Sequence, residues 1–310
     1  MSGTFQLRDV TLRDGLQLTG KLLPTADKVR LVRSLLELGV DEVEVGAMAR
    51  PDLVPPMANT VEVLHALDPH ELARSWVWVA TPSGARRAMD AGAQNVQFCL
   101  SASESHNRAN VGRSVEQSLD GLATVLADAP GARVQLTIAT SFTCPFEGEV
   151  DPDRVLAIVT DPRAEGVVSV AVCDTLGQAV PAEVGTLTGR VRQAVPTTGG
   201  VLFHGHDTWG LGVANAIAAI EAGADTLDAS LAGLGGCPFA PGASGNTATE
   251  DVLFAMRPPW FGPAVLDRMR ELSRDLVAAV GEPDRARTTQ AADRTPASSR
   301  FPWAGGSSRD

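Results

Sequence analysis

The sequence of 310 residues contains no tyrosine and only four cysteines. These cysteines, at positions 99, 144, 173 and 237, form no CxxC pair, so we expect neither a disulfide framework nor a structural zinc site. No apolar run approaches the roughly 18 residues that a membrane-spanning helix needs. The first ten residues also show no basic and apolar signal pattern. These absences predict a cytoplasmic protein that does not cross a membrane.

Basic residues are in deficit, with 26 Lys and Arg against 37 Asp and Glu, which gives a net charge of −11. Nucleic acids and anionic membranes attract proteins that present a basic surface. We therefore expect neither as a partner. A small anionic substrate needs only a local basic pocket and remains compatible with this charge. The hydrophobic fraction of 44% is that of a globular protein with a large core.

Short apolar runs alternate with amphipathic segments over most of the chain. We predict eight strands, at Phe5–Val10, Asp41–Val45, Trp76–Ala80, Asn95–Leu100, Arg133–Ala139, Val167–Cys173, Val201–His204 and Thr226–Ala229. We predict helices at 26–38, 56–66, 83–91, 114–128, 152–160, 181–194, 210–222 and 248–256. This alternation is typical of parallel strands joined by crossover helices. Eight such units predict an α/β fold, a single (β/α)8 TIM barrel. The alternative is an open doubly wound sheet, although no GxGxxG follows the first strand.

The C-terminal part of the chain changes in character after the eighth unit. A further helix is predicted at 263–280, so the barrel has an extra C-terminal helical segment. Residues 283–310 are rich in Ala, Ser, Thr, Arg, Gly and Pro and have little periodicity, which is typical of disorder. We therefore predict one catalytic barrel domain over residues 1–282 and a flexible, disordered tail over 283–310.

The pattern His204-Gly205-His206 stands at the end of the seventh predicted strand. Residues i and i+2 of a strand point to the same face, so both imidazoles can bind one ion. Active sites of barrels lie at the C-terminal ends of the strands, and Asp14 follows the first strand. These three residues form a two-histidine, one-carboxylate set that suits Mg²⁺, Mn²⁺, Fe²⁺, Co²⁺ or Zn²⁺. The alternative is a pair of hydrogen-bonded structural histidines.

Other groups that can carry chemistry belong to the same rim. Arg13 precedes Asp14, Glu44 ends the second strand and Asp174 follows the sixth. The glycine-rich loop 233–246 is predicted to be a lid, and its Cys237 can transfer a proton if the pKa of its thiol is lowered. Structural alternatives are a surface ion pair for Arg13 and Asp14, a helix N-cap for Asp174 and a plain connector for the loop.

Several segments together resemble one family: RDGLQ at 13–17, VPPM at 54–57, FHGHDTWG at 203–210 and GLGGCPFAPGASGN at 233–246. The chain resembles the 3-hydroxy-3-methylglutaryl-CoA lyases, metal-dependent acyl-CoA lyases of the TIM-barrel metallolyase superfamily. The resemblance spans about residues 5–256. It implies four ligands to a divalent cation: Asp14, His204, His206 and Asn246. The cation it implies is Mg²⁺ or Mn²⁺, with Co²⁺ or Zn²⁺ as alternatives.

The resemblance also implies roles for the other site residues. Arg13 would stabilise the enolate oxygen of the thioester, Cys237 would act as the acid–base group of the loop, and Glu44 and Asp174 would orient groups in the pocket. The implied reaction is retro-Claisen cleavage of a hydroxymethylglutaryl-CoA-like thioester to acetyl-CoA and a 3-keto acid, which is acetoacetate for hydroxymethylglutaryl-CoA itself. A homodimer is implied as well.

This chain departs from the lyase pattern at two pocket positions. Ala47 and Ala171 stand where the lyases commonly have serine, and we hypothesise that the substrate differs from hydroxymethylglutaryl-CoA at its acid end. His106 and the TLRD stretch at 11–14 look more like the condensing branch of the superfamily. A Claisen or aldol enzyme acting on a 2-keto acid is therefore the first alternative, and a non-catalytic ligand-binding barrel is the second.

Overall fold

Eight parallel strands close into a barrel in the computed structural model, which describes residues 5–196, 199–236, 245–296 and 299. The barrel strands are β1 (Gln6–Asp9), β2 (Glu42–Ala47), β3 (Ser75–Val79), β4 (Asn95–Ser101), β5 (Arg133–Ala139), β8 (Ser169–Asp174), β9 (Gly200–Gly205) and β10 (Thr226–Ala229). Two short strands, β6 (Thr143–Cys144) and β7 (Gly148–Glu149), form an antiparallel hairpin outside the barrel. The barrel closes because β1 pairs in parallel with both β2 and β10. This topology confirms the predicted (β/α)8 barrel and excludes the open sheet.

Helices follow the strands and surround the barrel. They are α1 (Thr25–Glu37), α2 (Thr60–Ala66), α3 (Pro69–Ala73), α4 (Pro82–Asp90), α5 (Glu104–Val111), α6 (Val115–Asp128), α7 (Pro152–Val159), α8 (Pro181–Ala194), α9 (Gly212–Glu221), α10 (Thr249–Met256), α11 (Pro263–Val280) and α12 (Arg287–Arg294). Within the part of the chain that the structure describes, no helix is long and apolar enough to cross a membrane. Single helical turns of other types lie at Thr11–Gly15, Pro55–Met57, Pro162–Ala164 and Leu231–Gly233.

The strands separate apolar from polar side chains according to their period of two. In β4, Phe98 and Leu100 are completely buried and belong to the hydrophobic core between barrel and helices. Gln97 and Cys99 lie on the opposite face and line a cavity inside the barrel. The same alternation therefore builds the core outside the barrel wall and positions polar groups within it.

Local capping fixes where several helices begin. Helix α6 has a capping box, in which the Ser114 hydroxyl accepts from the Gln117 backbone N–H at 3.1 Å and the Gln117 side chain accepts from the Ser114 N–H at 3.0 Å. Reciprocal bonds of this kind satisfy two N–H groups that a helix leaves unpaired at its start. The observed start at Val115 lies one residue after the predicted one.

The segment after residue 282 differs from our expectation of a chain without regular structure. Helix α12 covers Arg287–Arg294, and Thr288 and Ala292 on it are buried. The carboxylate of Asp251 accepts from the backbone N–H groups of Arg287 and Thr288 at 2.9 and 2.6 Å, which satisfies the first turn of the helix. Arg270 on α11 forms an ion pair with Asp293. Apolar periodicity does not predict this helix, because polar contacts rather than an apolar stripe hold it in place. The positions 297, 298 and 300–310 of the predicted tail lie outside the described residues.

Candidate active site

Three buried groups that can bind a metal converge at the C-terminal end of the barrel. Asp14 lies in the turn after β1, His204 lies on β9 and His206 follows β9 directly. Their ligand atoms all lie within 4.8 Å of one another. The two histidine Nε2 atoms are 3.2 Å apart, and His206 Nε2 is 3.5 Å from Asp14 Oδ2. Burial raises the pKa of Asp14, but Arg13 and the two histidines outweigh it and hold the pKa below its ordinary value.

His204 is oriented from behind by a second carboxylate. Its Nδ1 lies 3.0 Å from Oδ2 of Asp228 on β10. Asp228 also receives two hydrogen bonds from Arg8 on β1, from Nε at 2.8 Å and from Nη2 at 2.9 Å. A carboxylate on one ring nitrogen fixes the tautomer and leaves the other nitrogen as a metal ligand. The Nε2 atom of His204 is therefore presented toward His206 and Asp14.

Asn246, the last residue of the glycine-rich loop, completes this cluster. Its Nδ2 donates to Oδ2 of Asp14 at 2.8 Å and to the carbonyl of Leu234 at 2.9 Å. Its Oδ1 is buried and accepts no hydrogen bond from the described residues. An unpaired buried carbonyl oxygen costs free energy unless a donor or a cation satisfies it. The four residues Asp14, His204, His206 and Asn246 therefore offer oxygen and nitrogen donors that suit a divalent cation.

Arg13 lies between two carboxylates next to this cluster. Its Nη1 contacts Asp14, and its Nε lies 2.7 Å from Oε2 of Glu44, which is completely buried. Burial raises the pKa of Glu44 to about 7, although the charge of Arg13 opposes this shift. Burial disfavours the charged form of Arg13, but Glu44 and Asp14 outweigh it and raise the Arg13 pKa above its ordinary value. The guanidinium is therefore held charged in the cavity wall, with Glu44 behind it.

The structure places Asp174 differently from the other predicted residues. Its two carboxylate oxygens accept from the backbone N–H groups of Gln178 and Ala179, both at 3.1 Å. Burial raises its pKa, and these backbone hydrogen bonds oppose the rise. Asp174 therefore holds the turn between β8 and α8. It is not a helix N-cap, our structural alternative, because Val180 occupies that position before α8, and its carboxylate is not among the groups that line the cavity.

A cavity of about 510 Å³ opens next to these candidate metal ligands. Its wall combines polar groups around Arg13 with apolar side chains from the segment after β2 and from α5. Ala47 lines this cavity, whereas Ala171 is buried against Cys173 and Leu202. Of the two positions at which this chain has alanine and the lyases commonly have serine, the structure therefore places only position 47 in the cavity wall.

His106 on α5 also lines the cavity. Its Nδ1 lies 2.7 Å from the Ser101 hydroxyl, and burial lowers its pKa to about 4. Burial raises the pKa of Cys99 to about 12, so this thiol in the cavity wall stays protonated. Both groups are therefore neutral near pH 7.

The glycine-rich loop begins and ends beside the candidate metal ligands. The Asn246 N–H donates to the Leu234 carbonyl at 3.2 Å, which brings the two ends of the loop together. Gly235 has a φ of +114°, and a Cβ there would lie 2.4 Å from Asn246 Nδ2, so only glycine fits beside the Asn246 amide. Cys237, for which we predict an acid–base role, lies outside the described residues.

Sequence reasoning missed three buried residues of the barrel interior: Arg8, Gln97 and Asp228. Each is a long or charged side chain that is buried within a barrel strand. A polar residue at an inward position of a parallel strand signals that the interior is functional rather than packed. That signal is present in the sequence, but it does not tell which strands the residues face.

Comparisons with known proteins identify the family of this chain. The sequence profile of the HMGL-like family matches residues 4–267. The hydroxymethylglutaryl-CoA lyase of Pseudomonas mevalonii is 34% identical over 282 residues, which span 90% of this chain and 93% of that protein. The (R)-citramalyl-CoA lyase of Chloroflexus aurantiacus is 36% identical over 257 residues, or 79% and 81% of the two chains.

Solved structures of other proteins share the fold of this chain. An HMG-CoA lyase of Acinetobacter baumannii, in complex with coenzyme A and 3-methylmalate, superposes with a TM-score of 0.84 at 34% identity over 93% of this chain and 94% of that one. A putative aldolase domain from Bacteroides vulgatus reaches a TM-score of 0.65 at 19% identity, with 97% of each chain covered, and therefore shows the shared fold alone.

Proposed function

Since this chain belongs to the HMGL-like family and is a metal-dependent acyl-CoA carbon–carbon lyase, we propose that it cleaves a 3-hydroxyacyl-CoA thioester to acetyl-CoA and a keto acid. The family assignment confirms the resemblance predicted from the sequence. The two curated relatives described above are lyases, so the comparisons do not favour the alternative of a Claisen or aldol enzyme acting on a 2-keto acid. The observation that carries the proposal is the cluster of Asp14, His204 and His206 beside a cavity lined by Arg13.

The metal would be held by Asp14, His204, His206 and Asn246, and we propose Mg²⁺ or Mn²⁺. The unpaired Asn246 Oδ1 and the facing histidine Nε2 atoms support this ligand set. A divalent cation bound there would supply Lewis acidity toward the oxygen atoms of the substrate. Asp14 and Asn246 are already joined by a hydrogen bond, so the ligands are largely preorganised.

Arg13 has the position and charge to stabilise the product enolate. In the proposed reaction the 3-hydroxyl loses its proton, its oxygen becomes a keto oxygen, and the bond between C2 and C3 breaks. The bonding electron pair leaves as the thioester enolate, whose carbon then gains a proton to give acetyl-CoA. A charged donor preorganised at a developing oxyanion lowers the barrier. We propose that Arg13 has this role and that Glu44 positions it.

The remaining two predicted residues act at the edges of the site. We propose that Cys237 delivers the proton to the enolate carbon, which the position of the loop ends at Leu234 and Asn246 supports. We propose that Asp174 positions the turn after β8 through its backbone hydrogen bonds, a role that does not require contact with the substrate.

The test is to incubate the protein with Mg²⁺ or Mn²⁺ and one of two thioesters, hydroxymethylglutaryl-CoA or (R)-citramalyl-CoA, and to identify the products by mass spectrometry. We expect acetyl-CoA from a 3-hydroxyacyl thioester, and no product from Asp14→Asn. A wild-type protein that binds metal but releases acetyl-CoA from neither compound would contradict the proposal. Because Ala47 lines the cavity, we expect hydroxymethylglutaryl-CoA to be the poorer substrate. Turnover of it equal to that of an authentic lyase would overturn this expectation.

We further propose a cytoplasmic homodimer. The three described cysteines are free thiols, which is typical of a reducing compartment. The family resemblance supports the dimer, and light scattering after size-exclusion chromatography tests it.

A further inference from the structure

Gln97 is a buried amide in the cavity wall. It lies in the middle of β4, where it pairs in register with Trp78 of β3 and Gln135 of β5. Only 1% of its surface is exposed, and it lines the cavity beside the candidate metal ligands. None of the roles described above uses it.

The orientation of this amide is determined by its neighbours. Its Oε1 accepts from Arg8 Nη2 at 3.3 Å and from the Thr137 hydroxyl at 3.2 Å. A guanidinium has only donors, so exchanging the oxygen and nitrogen of Gln97 would place two donors against each other. Arg8 cannot turn away, because two further hydrogen bonds hold it on Asp228. The Nε2 of Gln97 is therefore on the side away from Arg8.

That Nε2 atom is buried and has no hydrogen-bond partner within residues 5–196, 199–236 and 245–296. A buried donor without a partner costs free energy and calls for an explanation. Gln135 on the next strand provides the contrast, because its Oε1 accepts from Arg8 Nη1 at 3.0 Å and its Nε2 donates to the Ser169 hydroxyl at 2.8 Å. Of these two glutamines, only the one that lines the cavity is left with an unpaired donor.

We propose that Gln97 is a specificity-determining residue, whose Nε2 donates to a carboxylate oxygen of the substrate's acyl group. This inference rests on the proposed acyl-CoA lyase function. An anionic acceptor gives the strongest bond to an amide donor. The hydrogen bond from Arg8 to Oε1 polarises the amide and strengthens its N–H as a donor. With alanine at position 47, Gln97 supplies a polar contact from another part of the cavity wall.

Two unreactive thioesters test this assignment in the presence of saturating Mg²⁺. Glutaryl-CoA ends in a carboxylate, whereas 5-methylhexanoyl-CoA has an isopropyl group of the same shape, and neither has a 3-hydroxyl group to cleave. We expect Gln97→Met to reduce the preference for glutaryl-CoA, measured as a ratio of Kd values by calorimetry, by about tenfold or more. Gln97→Glu keeps an acceptor for Arg8 but replaces the donor by an anionic oxygen, and it should reduce the preference further.

Gln135→Met is the matched control, because it removes a hydrogen bond to Arg8 without changing the cavity wall. We expect the wild-type ratio from it. An unchanged ratio in both Gln97 variants, or an equal fall in Gln135→Met, would overturn the inference while leaving the lyase function intact. A wild-type protein that cleaves a 3-hydroxyacyl-CoA but shows no preference for glutaryl-CoA would overturn the inference alone. Failure of the wild-type protein to cleave any 3-hydroxyacyl-CoA would instead overturn the proposed function, and the role of Gln97 with it.

Discussion

Replacing Asp228 by asparagine tests whether the barrel interior prepares the metal site. Asp228 contacts His204 Nδ1 at 3.0 Å on one side and Arg8 at 2.8 and 2.9 Å on the other. The change preserves the shape of the side chain but removes its charge and one of its acceptor oxygens. Because carboxylates behind metal-bound histidines fix their orientation, we expect affinity for Mn²⁺ to fall by about 10- to 100-fold.

The same substitution should also lower stability, for a separate reason. Arg8 is completely buried, and among the described residues its remaining hydrogen-bond partners are the neutral amide oxygens of Gln97 and Gln135. Removing one partner of a buried ion pair costs about 3–5 kcal/mol. Since folded domains are stable by only about 5–15 kcal/mol, the loss is large, and urea denaturation should detect it readily.

A double variant separates the two effects. Adding Arg8→Met to Asp228→Asn removes the unpaired charge, so we expect it to recover part of the lost free energy of unfolding while metal affinity stays low. Calorimetric titration of metal-free protein with Mn²⁺ measures the affinity. If Asp228→Asn binds Mn²⁺ as tightly as the wild type, the proposed orientation of His204 by Asp228 is wrong.

Three further predictions concern other parts of the molecule. Cys237→Ala should lower turnover sharply and leave Mn²⁺ affinity unchanged; equal turnover would show that another group protonates the enolate. Burial lowers the pKa of Lys28 from 10.5 to about 8, so the unfolded chain holds this proton up to a higher pH than the folded protein. Wild-type stability should therefore rise relative to Lys28→Met between about pH 8 and pH 10.5 in urea denaturation, and a flat difference would contradict this. Gly46→Ala should destabilise by about 1–3 kcal/mol because its Cβ would lie 2.4 Å from the Thr60 hydroxyl; Gly131→Ala, which meets nothing within 4 Å, is the near-neutral control.

Most of the regular structure follows from local patterns. The predicted strands Arg133–Ala139 and Thr226–Ala229 have the observed bounds, because each is a short run between clear turns. Helix α5, Glu104–Val111, was not predicted, since its sequence ESHNRANV has no apolar stripe. The Ser103 hydroxyl accepts from the His106 N–H and caps this helix, so its formation depends on a polar contact that periodicity does not reveal.

The candidate site was only partly accessible to sequence reasoning. The spacing of His204 and His206 predicts that both imidazoles share a face, because the side-chain period of a strand is two. Asp174 follows a strand as a site residue would, yet its carboxylate accepts from the backbone of the next turn. A residue's place after a strand is therefore predictable, whereas the direction of its side chain depends on neighbouring donors.

The sequence alone determined the barrel, its helices and the rim at which chemistry is placed, because those depend on periodicities within short segments. It also carried the family motifs around Asp14 and His204. Only the tertiary structure decided that Arg8, Asp228 and Gln97 form one buried network behind the candidate metal ligands. Arg8 and Asp228 are 220 positions apart and become neighbours because β1 pairs with β10 when the barrel closes. No local pattern encodes that contact, since register between distant strands is a property of the closed barrel as a whole.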